Sequence, residues 1–361
     1  MNLIFNQSQS NFSFFKMINP YLCKNPTIMK QSLILFFCIT FLVPSNAQLF
    51  GDIENLLRAS EADAAILAED YTRPLGKSNI YALNAGWANS AKTHKKLGFD
   101  LTFGAAAPFI PSADETFMPE GLTSLQAPAD GLPTIFGDAN PSTLTVNIPA
   151  GDGLPELMGT LEFPGGVKDD LPGNTLPIPF VQAGLGLFFD TDLIVRYVPQ
   201  FESEGTNFNL FGLGLKHNLM QYFGPLDKLP LNVALLAAFT QTELTYDIPE
   251  QANQQIAFDV NAYTVQALAS LDLPVISLFG GVGYSAGTSK LRALGDYDLA
   301  YDVEGSTYTR TLTDPLDLSY DASGMMGVVG MRMNLLFLKI FANYTLQEYN
   351  TLTAGLSINF R

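Results

Sequence analysis

The chain has 361 residues and a formal net charge of −16, yet only 15% of its residues are charged, while 12% are aromatic and 30 are glycine. An acidic balance of this size excludes nucleic-acid binding by simple electrostatics. Both cysteines, Cys23 and Cys38, fall near the N-terminus, so the rest of the chain offers no thiol, disulfide or cysteine-based metal site.

Residues 1–28 are a polar and aromatic mixture without a period, read here as an over-called start. At Met29-Lys30 the composition changes. A basic residue is followed by the apolar run Leu33–Val43 and by small residues at Ser45 and Ala47. That order is a secretory signal over 29–47 with cleavage after Ala47, and the apolar run is too short for a membrane helix.

Residues 48–78 are expected to form an N-terminal helical segment. Ile53, Leu56, Leu57, Ala64, Leu67, Ala68 and Tyr71 follow the i, i+3, i+4 stripe over 52–71, with Pro74 and Gly76 expected to end it. The polar side carries Glu54, Glu61, Asp63, Glu69 and Asp70.

Beyond residue 78 the period becomes two. Leu97, Phe99, Leu101 and Phe103 alternate with small or polar residues, as do Ile340, Ala342 and Tyr344. The last strand is the cleanest, with Leu352, Ala354, Leu356, Ile358 and Phe360 on one face. The apolar faces approach the 9–11 residues of a tilted membrane strand, and the opposite faces are Gly-rich and small rather than Lys- and Glu-rich. The fold expected over 79–361 is all-β, a transmembrane antiparallel β-barrel. Eleven strands are legible, the first at 79–90. Even parity raises the expectation to about 12, with 14 next, and the missing strand is sought near Thr143–Ile148. Segment 108–178 reads as a long outer loop or insertion. Leu356, Ile358 and Phe360 form a terminal signal for the barrel-insertion machinery.

Strand phase places Asp100, Arg196, Lys216, Arg332 and Lys339 in the lumen. Two arrangements follow for the helical segment, which enters from the periplasmic side: it plugs or lines that lumen with its carboxylates facing these groups, because buried charge needs a partner, or it stays free in the periplasm while the lumen side chains pair with water and neighbours. Gly283-Tyr284-Ser285-Ala286-Gly287 matches a nucleophile-elbow pattern but lies within a strand pattern with no helix following. Neither catalytic residues, nor a metal site, nor a cofactor is expected.

Gly86-Trp87-Ala88-Asn89-Ser90-Ala91-Lys92 and Gly212-Leu213-Gly214-Leu215-Lys216-His217-Asn218 resemble recurring motifs of an uncharacterised family of outer-membrane proteins, as does the hairpin Phe189–Tyr197. The order of helical segment then barrel is similar, in architecture only, to long-chain fatty-acid transporters. The resemblance implies an outer-membrane location, lipid as the surrounding partner, and no established catalytic residue. Three functions follow as expectations: a pore or transporter for a small, amphipathic or anionic solute; a non-transporting barrel that recruits an envelope or secretion partner; and, third, a lipid hydrolase.

Overall fold

The computed structural model describes residues 61–148, 157–203, 205–224, 230–248, 253–303 and 306–360. The signal at 29–47, the stripe before residue 61 and Glu54 lie outside them.

Helix α1 spans Glu61–Asn84. It does not stop at Pro74 and Gly76, and the strand expected at 79–90 is its last turns and the irregular, bent chain that follows. Ala64, Leu67, Ala68, Tyr71 and Leu75 are buried, so tertiary packing of this stripe overrides the local breakers. Gly76 is needed for proximity rather than flexibility. A Cβ there would overlap the Ser289 hydroxyl and lie 2.7 Å from the Tyr320 ring.

Ten strands close a barrel: β1 (Phe99–Pro108), β2 (Ile178–Gly186), β3 (Thr191–Ser203), β4 (Thr206–Asn218), β5 (Leu231–Asp247), β6 (Gln255–Asp272), β7 (Ile276–Leu294), β8 (Leu316–Leu335), β9 (Leu338–Leu346) and β10 (Thr351–Phe360). Each pairs antiparallel with its chain neighbours, and β1 pairs with β10, so the sheet is an up-and-down barrel without edges. At the closing seam Phe99 stands opposite Phe360, with ring centroids 4.7 Å apart.

The count is therefore ten rather than twelve. Segment 79–90 is not wall. Ser142–Ile148 is a strand, but it pairs with Leu157–Phe163 and Leu125–Gln126 inside the insertion. A period of two marks a strand but does not say which sheet it joins.

The connections define two ends. At the turn end β2–β3, β6–β7 and β8–β9 are joined by tight turns. At the loop end lie the insertion 109–177 and the hairpin Asp296–Val303/Ser306–Thr313 between β7 and β8. Inward residues on β10 are Thr351, Thr353 and Ser357, all fully buried, while Leu352, Leu356 and Phe360 face out. The alternation read from sequence thus has the expected hand.

Candidate functional site: the lumen and its turn-end vestibule

The lumen is occupied by the chain's own residues 61–98, and the direction is opposite to that expected. The first turn of α1 lies at the loop end. Asp63, fully buried, accepts hydrogen bonds from the backbone N–H groups of Thr123 and Ser124, both at 2.8 Å, and from their hydroxyls at 3.0 and 2.6 Å. Burial works to raise the Asp63 carboxyl, but the bonds from Ser124 and Thr123 outweigh it and hold the group below its ordinary value of 3.8. Tyr71 continues the contact, donating to Gly165 O at 2.8 Å and accepting at its carbonyl from Ile135 N at 3.0 Å. The insertion and the first half of α1 share one core, with Leu67 and Tyr71 among Leu132, Ile135, Phe136 and Phe163.

From there the helix descends. Thr72 Oγ1 is 2.5 Å from the Tyr320 hydroxyl, and Asn84 Nδ2 donates to Ala286 O at 3.1 Å. Lys77 pairs with Glu348, in the β9–β10 turn, at 2.7 Å, and the Tyr81 hydroxyl donates to the same carboxylate at 2.7 Å. Burial works to raise Glu348; the bonds from Lys77 and Tyr81 hold it below its usual range.

Arg196 meets the C-terminal end of the helix. Its guanidinium is 1% exposed and donates to Leu83 O and Ala85 O, each at 3.1 Å. It lies 4.2 Å from the Trp87 ring and 4.1 Å from the Phe180 ring. Helix C-termini leave unpaired carbonyls and a partial negative charge, and a stacked guanidinium satisfies both with two directed bonds. Trp87 needs space, and β4 provides it: a Cβ on Gly212 or Gly214 would come within 3.0 Å of the indole.

Below Trp87 the chain is irregular and tied to the wall. Ala91 N donates to Ser270 Oγ at 3.1 Å, and His94 N to Asp192 Oδ1 at 2.9 Å. Lys216 pairs with Asp192 at 3.1 Å and donates to Lys92 O at 2.9 Å. Arg332 pairs with Asp272 at 3.0 Å and donates to Asn89 Oδ1 at 2.8 Å. Asp100 accepts from Thr102 Oγ1 at 2.8 Å and Ser357 Oγ at 2.7 Å.

All five lumen candidates therefore face inward, but the charge logic differs from that expected. The helix carboxylates do not reach them. Glu69 and Asp70 pair with Arg73 at 3.1 and 2.7 Å, Asp63 is held by the insertion, and the Glu61 side chain lies outside the description. The wall provides its own acids, Asp192 and Asp272, which sequence reasoning missed. Strand phase could have found Asp192, an even spacing from Arg196 on the same face. Only the register could place Asp272 beside Arg332.

A cavity of about 640 Å³ opens at the turn end. Lys339 faces it and has no hydrogen-bonded or ion-paired partner among the described residues. Lys92, Lys95 and Arg332 line it, and Leu273, Leu336 and Phe337 form one side of its rim. Ser285, the serine of the nucleophile-elbow pattern, lies within a strand. It is fully buried on β7, its hydroxyl donates to Met326 Sδ at 3.1 Å, and both histidines lie at the turn end.

These features define a class: a closed up-and-down barrel threaded by its own N-terminal segment. The chain belongs to a family of unknown function, DUF6588, whose model matches residues 29–360. The expected resemblance to an uncharacterised family is borne out. No curated protein matches it by sequence. Among solved structures it is similar to the outer-membrane protease OmpT of Escherichia coli (11% identity, 75% of this chain and 100% of that one, TM-score 0.31). It is also similar to the attachment invasion locus protein Ail of Yersinia pestis (12% identity, 74% and 100%, TM-score 0.26). A third is the outer-membrane channel DcaP of Acinetobacter baumannii (8% identity, 76% and 100%, TM-score 0.18).

Proposed function

We propose that this protein is an outer-membrane barrel whose lumen is closed by its own chain, acting as an anchored platform for the insertion at 109–177. The membrane setting rests on the outer wall. The exposed face of β6 is apolar from Tyr263 to Leu271 and that of β8 from Met325 to Leu335, the roughly 9–11 residues a tilted strand needs to cross. Exposed aromatics bracket this belt. On the loop side are the cross-strand pairs Tyr197–Phe211 and Phe239–Tyr263; on the turn side are Phe189, Phe223 and Phe337. Soluble monomers rarely expose apolar patches beyond a few hundred Å². Toward the loop end the outer face turns polar, with Asn261, Asp317 and Asp321 exposed and Asp259 paired with Arg292. In this reading the loop end stands outside the cell, lipid surrounds the belt, and the insertion machinery engages Leu356, Ile358 and Phe360.

The observation that carries closure is the Arg196 clamp on Leu83, Ala85 and Trp87, midway along a lumen filled from Asp63 to Lys92. A second reading, a gated pore for an anionic solute, is favoured by the basic vestibule and requires residues 61–98 to move. The test is conductance of the purified protein in a planar bilayer. The intact chain is expected to be silent, and deletion of 61–90 to give steady conductance. Steady conductance of the intact protein would overturn closure in favour of the pore. No catalytic role is assigned to Ser285.

A further inference from the structure

The turn-end vestibule combines three properties that the closed-barrel reading does not use. It is large enough for an organic ligand, at about 640 Å³ against the roughly 300–1,000 Å³ of small-molecule sites. Its charges are also unevenly satisfied. Lys216 and Arg332 are tied to Asp192 and Asp272, and Asp100 is tied to Ser357 and Thr102. Lys339 has no ion-paired or hydrogen-bonded partner among the described residues, and Lys92 and Lys95 line the same cavity with no ion pair among them. The third property is the rim, which is apolar on one side only. Leu273 belongs to the β6–β7 turn and Leu336 and Phe337 to the β8–β9 turn, and these are 41%, 95% and 65% exposed.

We propose that the vestibule is a binding site for an anionic amphiphile. A phosphate or carboxylate head sits against Lys339, Lys92 and Lys95, and an apolar chain leaves over Leu336 and Phe337. A compact anion fits the ammonium groups because each offers three donors and none is ion-paired among the described residues, the cavity's carboxylates Asp100 and Asp272 being engaged by Thr102, Ser357 and Arg332. The one-sided apolar rim sets the direction of the tail and favours an amphiphile over a fully hydrated ion. The head is provided either by a phospholipid of the surrounding leaflet or by a free alkyl phosphate. The assignment rests on the cavity's own residues and holds whether or not the barrel conducts.

The experiment is native mass spectrometry of the full chain in a non-ionic detergent, so its outcome does not depend on membrane insertion. The probes are a phosphatidylglycerol, a phosphatidylethanolamine with the same acyl chains, dodecyl phosphate and inorganic phosphate. The expected result is retention of phosphatidylglycerol or dodecyl phosphate, about tenfold over inorganic phosphate, falling as salt screens the lysines. Preference for the phospholipid identifies the leaflet as the source; preference for dodecyl phosphate identifies a free ligand. The variant Lys92→Gln/Lys95→Gln/Lys339→Gln loses the anion preference, and Leu336→Asn/Phe337→Asn loses the advantage of the acyl chain while keeping the weaker affinity for phosphate. Folding of both variants is checked by retained β-sheet circular dichroism. Equal retention of phosphatidylglycerol and phosphatidylethanolamine with no binding of dodecyl phosphate, or retention unchanged in the triple variant, would overturn the proposal.

Discussion

Arg196 is the residue on which the lumen depends most. A buried cation whose partners are carbonyls and ring faces has no carboxylate to neutralise it, so its value lies in direction: two N–H groups end two helix carbonyls that water cannot reach. Arg196→Leu leaves Ala85 O without its donor and Leu83 O with the Trp87 indole N–H alone, and each buried polar group so abandoned costs about 1–3 kcal/mol. The expected outcome is a lower melting temperature in detergent, read by circular dichroism. Arg196→Lys recovers little of it, since an ammonium cannot bridge both carbonyls while stacking between Trp87 and Phe180. Asp63 acts at the other end of the segment. Its carboxyl is held below 3.8, so its contribution is fully present above the unfolded value and is lost as pH falls through the folded one. Asp63→Asn mimics the acid form at neutral pH. Faster amide exchange at Thr123 and Ser124 in that variant, with strands β1–β10 unchanged, is the expected result; unchanged exchange at those two amides would remove Asp63 as the clip.

At the scale of elements, sequence legibility divides along a physical line. Strands were legible because an outward apolar face and an inward small or polar face are imposed residue by residue, as in β10. The C-terminal part of helix α1 is not legible in the sequence. Pro74 and Gly76 are breakers in water, but inside the barrel the helix runs on through both and passes close to Ser289 and Tyr320. The alternation at 79–90 came from residues touching wall on nearly every side, where no single periodic face exists. Orientation was beyond the sequence for a similar reason, since nothing local to α1 says which end of the lumen it occupies. The inward phase of Arg196, Lys216 and Arg332 was readable, while their partners depend on register between strands far apart in the chain. A prediction belongs to this scale. Gly76→Leu places atoms where Ser289 and Tyr320 already stand, so it displaces the middle of α1 without touching the vestibule. Intermittent bilayer conductance in this variant, absent from the parent, is the expected signature of a lumen filled by close contact.

For the molecule as a whole, the two-zone outer wall makes a depth-dependent prediction. Ala267 lies midway along the apolar face of β6, and Asn261 lies above it on the polar extension. Arginine near the midplane of a membrane barrel costs about 2–4 kcal/mol and little near its boundary. Ala267→Arg is therefore expected to reduce folding yield into lipid vesicles sharply, and Asn261→Arg to leave it unchanged; equal effects would place the belt wrongly. The direction of the lumen segment has a separate consequence, for the order of assembly. The chain starts α1 under the insertion, descends the full lumen and only then enters β1 at the turn end. The wall is completed where β10 meets β1, and Phe360 lies against Phe99 at that seam. Once that seam is shut, α1 could be put in place only by threading its first turn up the whole lumen from the turn end. The wall must therefore wrap around a segment already lying within it, which makes the first-made part of the described chain the mandrel on which the last strand is laid.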